Sequence, residues 1–128
     1  MRELLPPVKV SRAIGVAGTV TTLAALELGR YDRAETHGYR LTREQVERQT
    51  DRLAALPVAE RRALPGLEPE RAPVIVGGAI VVRETLRRYD LPELRISERD
   101  ILDGAALLAA ELPPPAEGDA PPGAHTCC

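Results

Sequence analysis

The residues best suited to chemistry form one run, Gly15-Val16-Ala17-Gly18-Thr19-Val20-Thr21-Thr22. Apolar residues lead into it and helical spacing leads out of it, so it reads as a strand handing over to a helix through a tight turn. Glycine lets a backbone come close to a ligand, and the first-turn N–H groups of a helix are donors without intrahelical partners at the positive end of its dipole. Phosphate or another anion suits such a turn. Thr19, Thr21 and Thr22 add hydroxyls that could bind phosphate oxygens or simply cap the helix. The spacing matches neither the dinucleotide G-x-G-x-x-G pattern nor the P-loop with its Lys-Ser/Thr, and a tight turn holding no ligand is compatible with the same residues.

Other candidates offer less. His37 has no cysteine or second histidine nearby in the sequence, which favours a loop hydrogen bond over a metal role. Glu68, Glu70, Asp100 and Asp103 are conceivable acid–base groups, but carboxylates at helix starts commonly serve capping and the dipole. Ser11 and Ser97 are the only serines, so no nucleophilic triad is in evidence. Arg12, Arg40, Arg83 and Arg99 read individually as surface arginines; one bordering the Gly15–Thr22 turn would strengthen an anion site.

The elements that must position these residues follow from periodicity and punctuation. A helix over Thr19–Leu28 carries Val20, Leu23, Ala24 and Leu28 at helical spacing and stops at Gly29. Residues 30–40 read as a polar connecting loop. Thr42 with Gln45 makes a capping box, and Leu41 with Val46 a hydrophobic staple, for a second helix that aligns Val46, Leu53 and Leu56 and ends at Pro57. Residues 58–64 suit one or two helical turns. A third helix is expected from about Glu70 to Tyr89, with Val74–Val82 apolar on nearly every side and therefore buried between layers, and with Gly77-Gly78 allowing close backbone contact. Leu94-Arg95-Ile96 is a short strand, and Asp100 caps a last helix presenting Ile101, Ala105, Leu108 and Leu112.

Composition bounds the function class. With 128 residues, 44% hydrophobic and 28% charged, the chain holds one core and no self-contained second lobe. A net charge of −2 and the absence of Phe and Trp argue against a nucleic-acid binder. No apolar run reaches the roughly 18 residues that cross a bilayer, and Met1–Pro7 has no signal core, so no membrane association and a cytoplasmic location are expected. Cys127 and Cys128 sit at the end of a Pro/Gly/Ala-rich stretch, residues 113–128, expected to be disordered.

Three landmarks in order carry a family resemblance: Gly-Val-Ala-Gly-Thr-Val-Thr-Thr at 15–22, Leu-Pro-Gly-Leu-Glu-Pro-Glu-Arg-Ala at 64–72 with the following Gly-Gly-Ala, and Ile-Ser-Glu-Arg-Asp-Ile-Leu-Asp-Gly at 96–104. Together they resemble the Ppx/GppA phosphatase family, the exopolyphosphatases and guanosine pentaphosphate phosphohydrolases. The resemblance implies an α/β fold, here a partial actin-like (ribonuclease H-like) ATPase lobe over residues 1–112, mostly helical with two short parallel strands. It implies polyphosphate or a guanosine polyphosphate as ligand, Mg²⁺ as cofactor, and Gly15, Gly18, Thr19 and Thr21 as cleft-lining or phosphate-side positions. No catalytic residue and no metal ligand carries over, because the family's Asp-x-Gly-Ser-Asn-Ser loop, its water-activating glutamate and its Asp-x-Gly-Gly-Gly-Ser loop do not occur in these residues. Such a partial lobe is expected to be inactive alone, and to need the missing N-terminal lobe or to self-associate through an open sheet edge.

Overall fold

A computed structural model describes residues 9–111. The 113–128 stretch, Leu112 and the two cysteines lie outside the described residues. The chain is a mixed α/β unit, mostly helical. Strand β1 (Ile14–Val16) leads into helix α1 (Gly18–Leu28), and a one-turn helix α2 (Arg33–Thr36) precedes strand β2 (Arg40–Thr42). Helix α3 (Arg43–Ala55) and the short α4 (Val58–Arg61) come next. A 3₁₀ turn (Pro69–Arg71), helix α5 (Ile75–Arg88), strand β3 (Glu93–Ser97) and helix α6 (Ile101–Glu111) complete the order.

The two expected strands pair in parallel, Ile14 with Arg95 and Val16 with Ser97. A third strand, not expected from the sequence, adds β2 antiparallel to β3, with Arg40 opposite Arg95 and Thr42 opposite Glu93, giving the order β1-β3-β2. Arg40-Leu41-Thr42 is too short to show a period of two, and its last residue is already the cap of α3, so the helix signal masks the strand. The stretch expected to be a loop, residues 30–40, also contains α2, whose N-cap is Asp32. Asp32 Oδ1 accepts from the backbone N–H of Ala34 at 2.8 Å and of Glu35 at 3.2 Å.

The capping box of α3 forms as its residues dictate: Gln45 N–H donates to Thr42 Oγ1 at 3.2 Å and Thr42 N–H to Gln45 Oε1 at 2.8 Å. Its buried face holds Val46, Gln49, Thr50 and Leu53, packed on α5 and α1 around Leu23, Leu41, Leu86, Leu94 and Ile96. Glu27 of α1 ties the two helices together. Its carboxylate, only 11% exposed, accepts from Gln45 Nε2 at 3.1 Å, from Arg48 Nη2 at 2.8 Å and from Gln49 Nε2.

The third helix begins at Ile75 and not at Glu70, because Pro73 has no N–H to carry the α ladder and Pro69 opens a 3₁₀ turn instead. Its centre is not enclosed on every side: Ile75, Ala79 and Leu86 are buried, whereas Val74 and Val81 are 67% and 58% exposed. Helices α3 and α1 are its main packing partners among the described residues. Gly78 allows the expected close approach, meeting Thr19 of α1, while Gly77 faces open space. Asp100 caps α6 as expected: Leu102 N–H donates to Asp100 Oδ1 at 2.8 Å, and Asp100 N–H to Asp103 Oδ2 at 2.9 Å. That helix buries none of its residues, leaving Ile101 and Leu102 84% and 73% exposed. No helix of the described residues is long and apolar enough to cross a membrane.

Candidate functional site

The Gly15–Thr22 run adopts the expected strand-turn-helix geometry. Its sharpest bend falls on Ala17, at φ 68° and ψ 176°, backbone that is otherwise almost confined to glycine. Helix α1 starts there without a side-chain cap and without an acidic residue in its first turn, so its positive end is not neutralised from within. A cavity of about 200 Å³ opens at this end of the helix, at the carboxyl ends of β1 and β3, where ligands bind in open α/β sheets. Ala17, Gly18, Thr21 and Thr22 form one side; Tyr31, Gly66, Glu68, Arg71, Ser97, Glu98 and Asp100 form the rest.

Of the sequence-predicted residues, Gly18 and Thr21 line this cavity. Thr21 Oγ1 donates back to Gly18 O at 3.2 Å, within the first turn of its own helix. Gly15 faces the core against Leu94 and Val20, and Thr19 packs on Gly78; both residues serve packing in this structure, outside the cavity lining. Thr22, buried, is an additional lining residue.

The cation of the site was not singled out from sequence. The Arg71 guanidinium lies directly over Gly18, in the space any Cβ at that position would fill. Arg71 is held there by a charge-assisted hydrogen bond from Nε to Glu68 Oε2 at 2.6 Å. The loop bearing both residues is anchored at two further points. Gly66, at φ +87°, brings its Cα against the backbone carbonyl of Ala25, and Arg61 donates to Leu53 O at 2.7 Å and to Ala72 O at 3.2 Å. A guanidinium beside a helix N-terminus places like charge next to like charge, an arrangement that an anion between them relieves.

The acidic side of the cavity is already engaged. Glu98 Oε2 accepts from Tyr31 Oη at 3.0 Å, and its Oε1 is enclosed with no hydrogen-bond partner. The phenol of Tyr31 is held protonated above its ordinary range, first by partial desolvation, then by the hydrogen bond and charge of Glu98. His37 Nδ1 accepts from Glu98 N–H at 3.1 Å, the loop hydrogen bond expected of it. Among the described residues no group of three or more His, Cys, Asp or Glu is placed to hold a metal ion. Glu68 and Asp100 are engaged by Arg71 and the cap of α6, and Glu98 has a single unpaired oxygen, the enclosed Oε1, so the set does not fit the open shell of several oxygens that Mg²⁺ takes.

Residues 2–108 match the Ppx/GppA phosphatase family. The chain belongs to this family. Over 111 residues it is 41% identical to exopolyphosphatase 2 of Mycobacterium tuberculosis, covering 81% of this chain and 35% of that protein. Over 101 residues it is 34% identical to the bifunctional 3-dehydroquinate synthase/phosphatase of Fusobacterium nucleatum, covering 77% of this chain and 15% of that one. The crystal structure of the Aquifex aeolicus Ppx/GppA phosphatase, type II variant, superposes with a TM-score of 0.76 at 32% identity, over 87% of this chain and 37% of that one. An exopolyphosphatase-like protein of known structure gives 0.73 at 34% identity, over 77% and 34% of the two chains. This Ppx/GppA chain thus spans about a third of the length of the M. tuberculosis relative.

Proposed function

We propose that the cavity at the start of α1 binds the phosphate end of an oligophosphate, forming one wall of an exopolyphosphatase-type cleft in the cytoplasm. The family reaction removes the terminal phosphate from inorganic polyphosphate or guanosine pentaphosphate. The observation that carries the reading is the guanidinium of Arg71, paired with Glu68, seated on Gly18 beside an uncapped helix N-terminus, so that a paired cation and a helix dipole face one cavity. Attack on a phosphoryl group needs a positioned water and a base as well as charge stabilisation. This chain supplies the last of these, and the remaining parts come from a complementary polypeptide or the rest of a longer one, so the chain alone binds without turnover. Bare apolar side chains on α5, its N-cap and α6, Val81, Val74, Ile101 and Leu102 among them, give such a polypeptide or a second copy a surface to cover.

A second reading, a binding module with no catalytic partner, draws on the engagement of the cavity carboxylates by Arg71, Tyr31 and the α6 cap. One pair of measurements separates these readings. Phosphate release from long-chain polyphosphate with Mg²⁺ is followed beside a tripolyphosphate titration. Saturable binding that Arg71→Ala weakens, with no release, supports the site. Release at about one per second or faster would place a base within this chain and overturn the division of labour. Absence of binding would remove the site altogether. Release restored by adding the N-terminal part of a family member would favour the cleft wall over the stand-alone module.

A further inference from the structure

Glu98 is gripped at three points by one short segment of chain. Its backbone N–H donates to His37 Nδ1 at 3.1 Å, its carbonyl accepts from Arg33 Nη2 at 3.4 Å, and its Oε2 accepts from Tyr31 Oη at 3.0 Å. Tyr31, Arg33 and His37 span the one-turn helix α2 and its two flanks, so one capped turn presents all three. The segment is fastened to β3 as well, because Gly38 N–H donates to Ile96 O at 2.8 Å. Glu98 leads from β3 to α6 and, with Ser97 and Asp100, forms that wall of the α1 cavity. Among the described residues α6 buries none of its side chains, so packing of that helix does not hold the loop from its other end.

Two features make this grip conditional. Glu98 Oε1 is enclosed without a hydrogen-bond partner, a cost that is relieved when the loop moves and water reaches the oxygen. His37 is exposed, and imidazole accepts at Nδ1 only while its proton sits on Nε2; imidazolium carries N–H on both nitrogens and would face the Glu98 N–H as donor to donor. Histidine changes charge between about pH 5 and 8. The charged groups around this junction are Arg33 and Glu35 on α2, Glu98 and Arg99 on the loop, and Arg95 of β3, whose Nε reaches Gly38 O at 3.5 Å. Residues of those types titrate outside that range. The Tyr31 phenol, held above its ordinary value by partial desolvation and by Glu98, keeps its proton throughout.

We propose that His37 is a positioning residue for the α1 cavity: its neutral imidazole latches the β3–α6 loop, and its protonation releases that loop and lowers oligophosphate affinity at acidic pH. Once released, the Glu98 carboxylate is no longer held against Tyr31 and adds free negative charge to a cavity lined by Arg71, where it competes with an anion. The effect on affinity rests on the phosphate reading of the cavity; the latch itself does not.

The test uses the full 128-residue chain with tripolyphosphate as the probe, titrated calorimetrically at about pH 8 and about pH 5.5, towards either end of the histidine range. His37→Asn supplies an amide oxygen as acceptor in place of Nδ1 and does not titrate. The unaltered chain and this variant are expected to agree within about twofold at the higher pH, and at the lower pH the unaltered chain is expected to bind about 5-fold more weakly, the worth of one hydrogen bond. Protonation of the probe cancels in that ratio. His37→Leu, which has no acceptor, is expected to bind weakly at both. An unaltered chain that loses no more than His37→Asn on acidification, or that gains affinity through the added charge, would overturn the proposal. Amide NMR reads the latch with neither ligand nor variant: the Glu98 N–H shift is expected to follow the His37 ring titration, and a Glu98 amide indifferent to it would overturn the hydrogen bond. If tripolyphosphate binds at neither pH, the cavity reading falls and takes the affinity effect with it, while the Glu98 amide still decides the latch, so the two fail separately.

Discussion

The guanidinium of Arg71 occupies the volume that a side chain on residue 18 would need, so the identity of Gly18 is set by a cation packed on the first turn of α1. The atoms in conflict are the far end of a flexible side chain, which can move away. Gly18→Val is therefore expected to displace Arg71 from the helix start while the fold survives. Tripolyphosphate affinity should fall about 10-fold or more, the loss of one charge-assisted contact of about 1.5–3 kcal/mol, with little change in melting temperature. Arg71→Lys should recover only part of the binding, since a point charge replaces a planar fork. Calorimetric titration of both variants checks this; undiminished affinity in Gly18→Val would dissociate the glycine from the anion site.

Ala17 holds backbone that glycine adopts without penalty. A non-glycine residue in this region costs about 1–3 kcal/mol. Replacing Ala17 by Gly removes that strain but adds unfolded-chain entropy, so a net stabilisation of about 1 kcal/mol is expected in urea unfolding. An unchanged or lower midpoint would show that the turn relaxes without strain.

The turn, the α3 capping box and the Asp100 cap were legible because each rests on interactions within a few residues; the two parallel strands were legible as short apolar runs next to turn signals, although they pair far apart in the chain, Ile14 with Arg95. β2 was not, since three residues next to a strong helix cap acquire strand geometry only by pairing with β3. The site was half legible for the same reason. Gly18 and Thr21 belong to a local motif, whereas Arg71 reaches Gly18 across a separation of more than fifty residues, through a loop pinned by Gly66 and Arg61. Tyr31 and Glu98 likewise meet only in three dimensions. Local pattern placed the anion-binding backbone; the tertiary fold supplied its counter-charge.

Glu27 is the most committed carboxylate in the fold, accepting from three side chains of α3 at a largely enclosed position. Removing it leaves the amides of Gln45 and Gln49 without that acceptor. Glu27→Ala is expected to cost about 2–4 kcal/mol, well above the 0–1 kcal/mol of an exposed ion pair such as Arg43 with Asp90. Parallel urea titrations of Glu27→Ala and Arg43→Ala test the ordering, and equal losses would mean that the α1–α3 junction is no stronger than a surface contact.

The raised Tyr31 pKa fixes a sign for alkaline stability. The folded chain keeps the phenol proton to a higher pH than the unfolded chain does, because partial burial and the Glu98 carboxylate both disfavour the phenolate. The resulting stabilisation is complete below the ordinary tyrosine value of about 10 and is lost as pH rises through the higher folded value. Tyr31→Phe has no proton to lose, so its melting temperature should decline less steeply than that of the unaltered chain between about pH 9 and 11. Glu98→Gln should flatten the same limb by removing the charge that holds the phenol neutral. Superimposable profiles for all three proteins would show that the Tyr31–Glu98 pair does not form in solution, and with it would go the closed acidic side of the cavity.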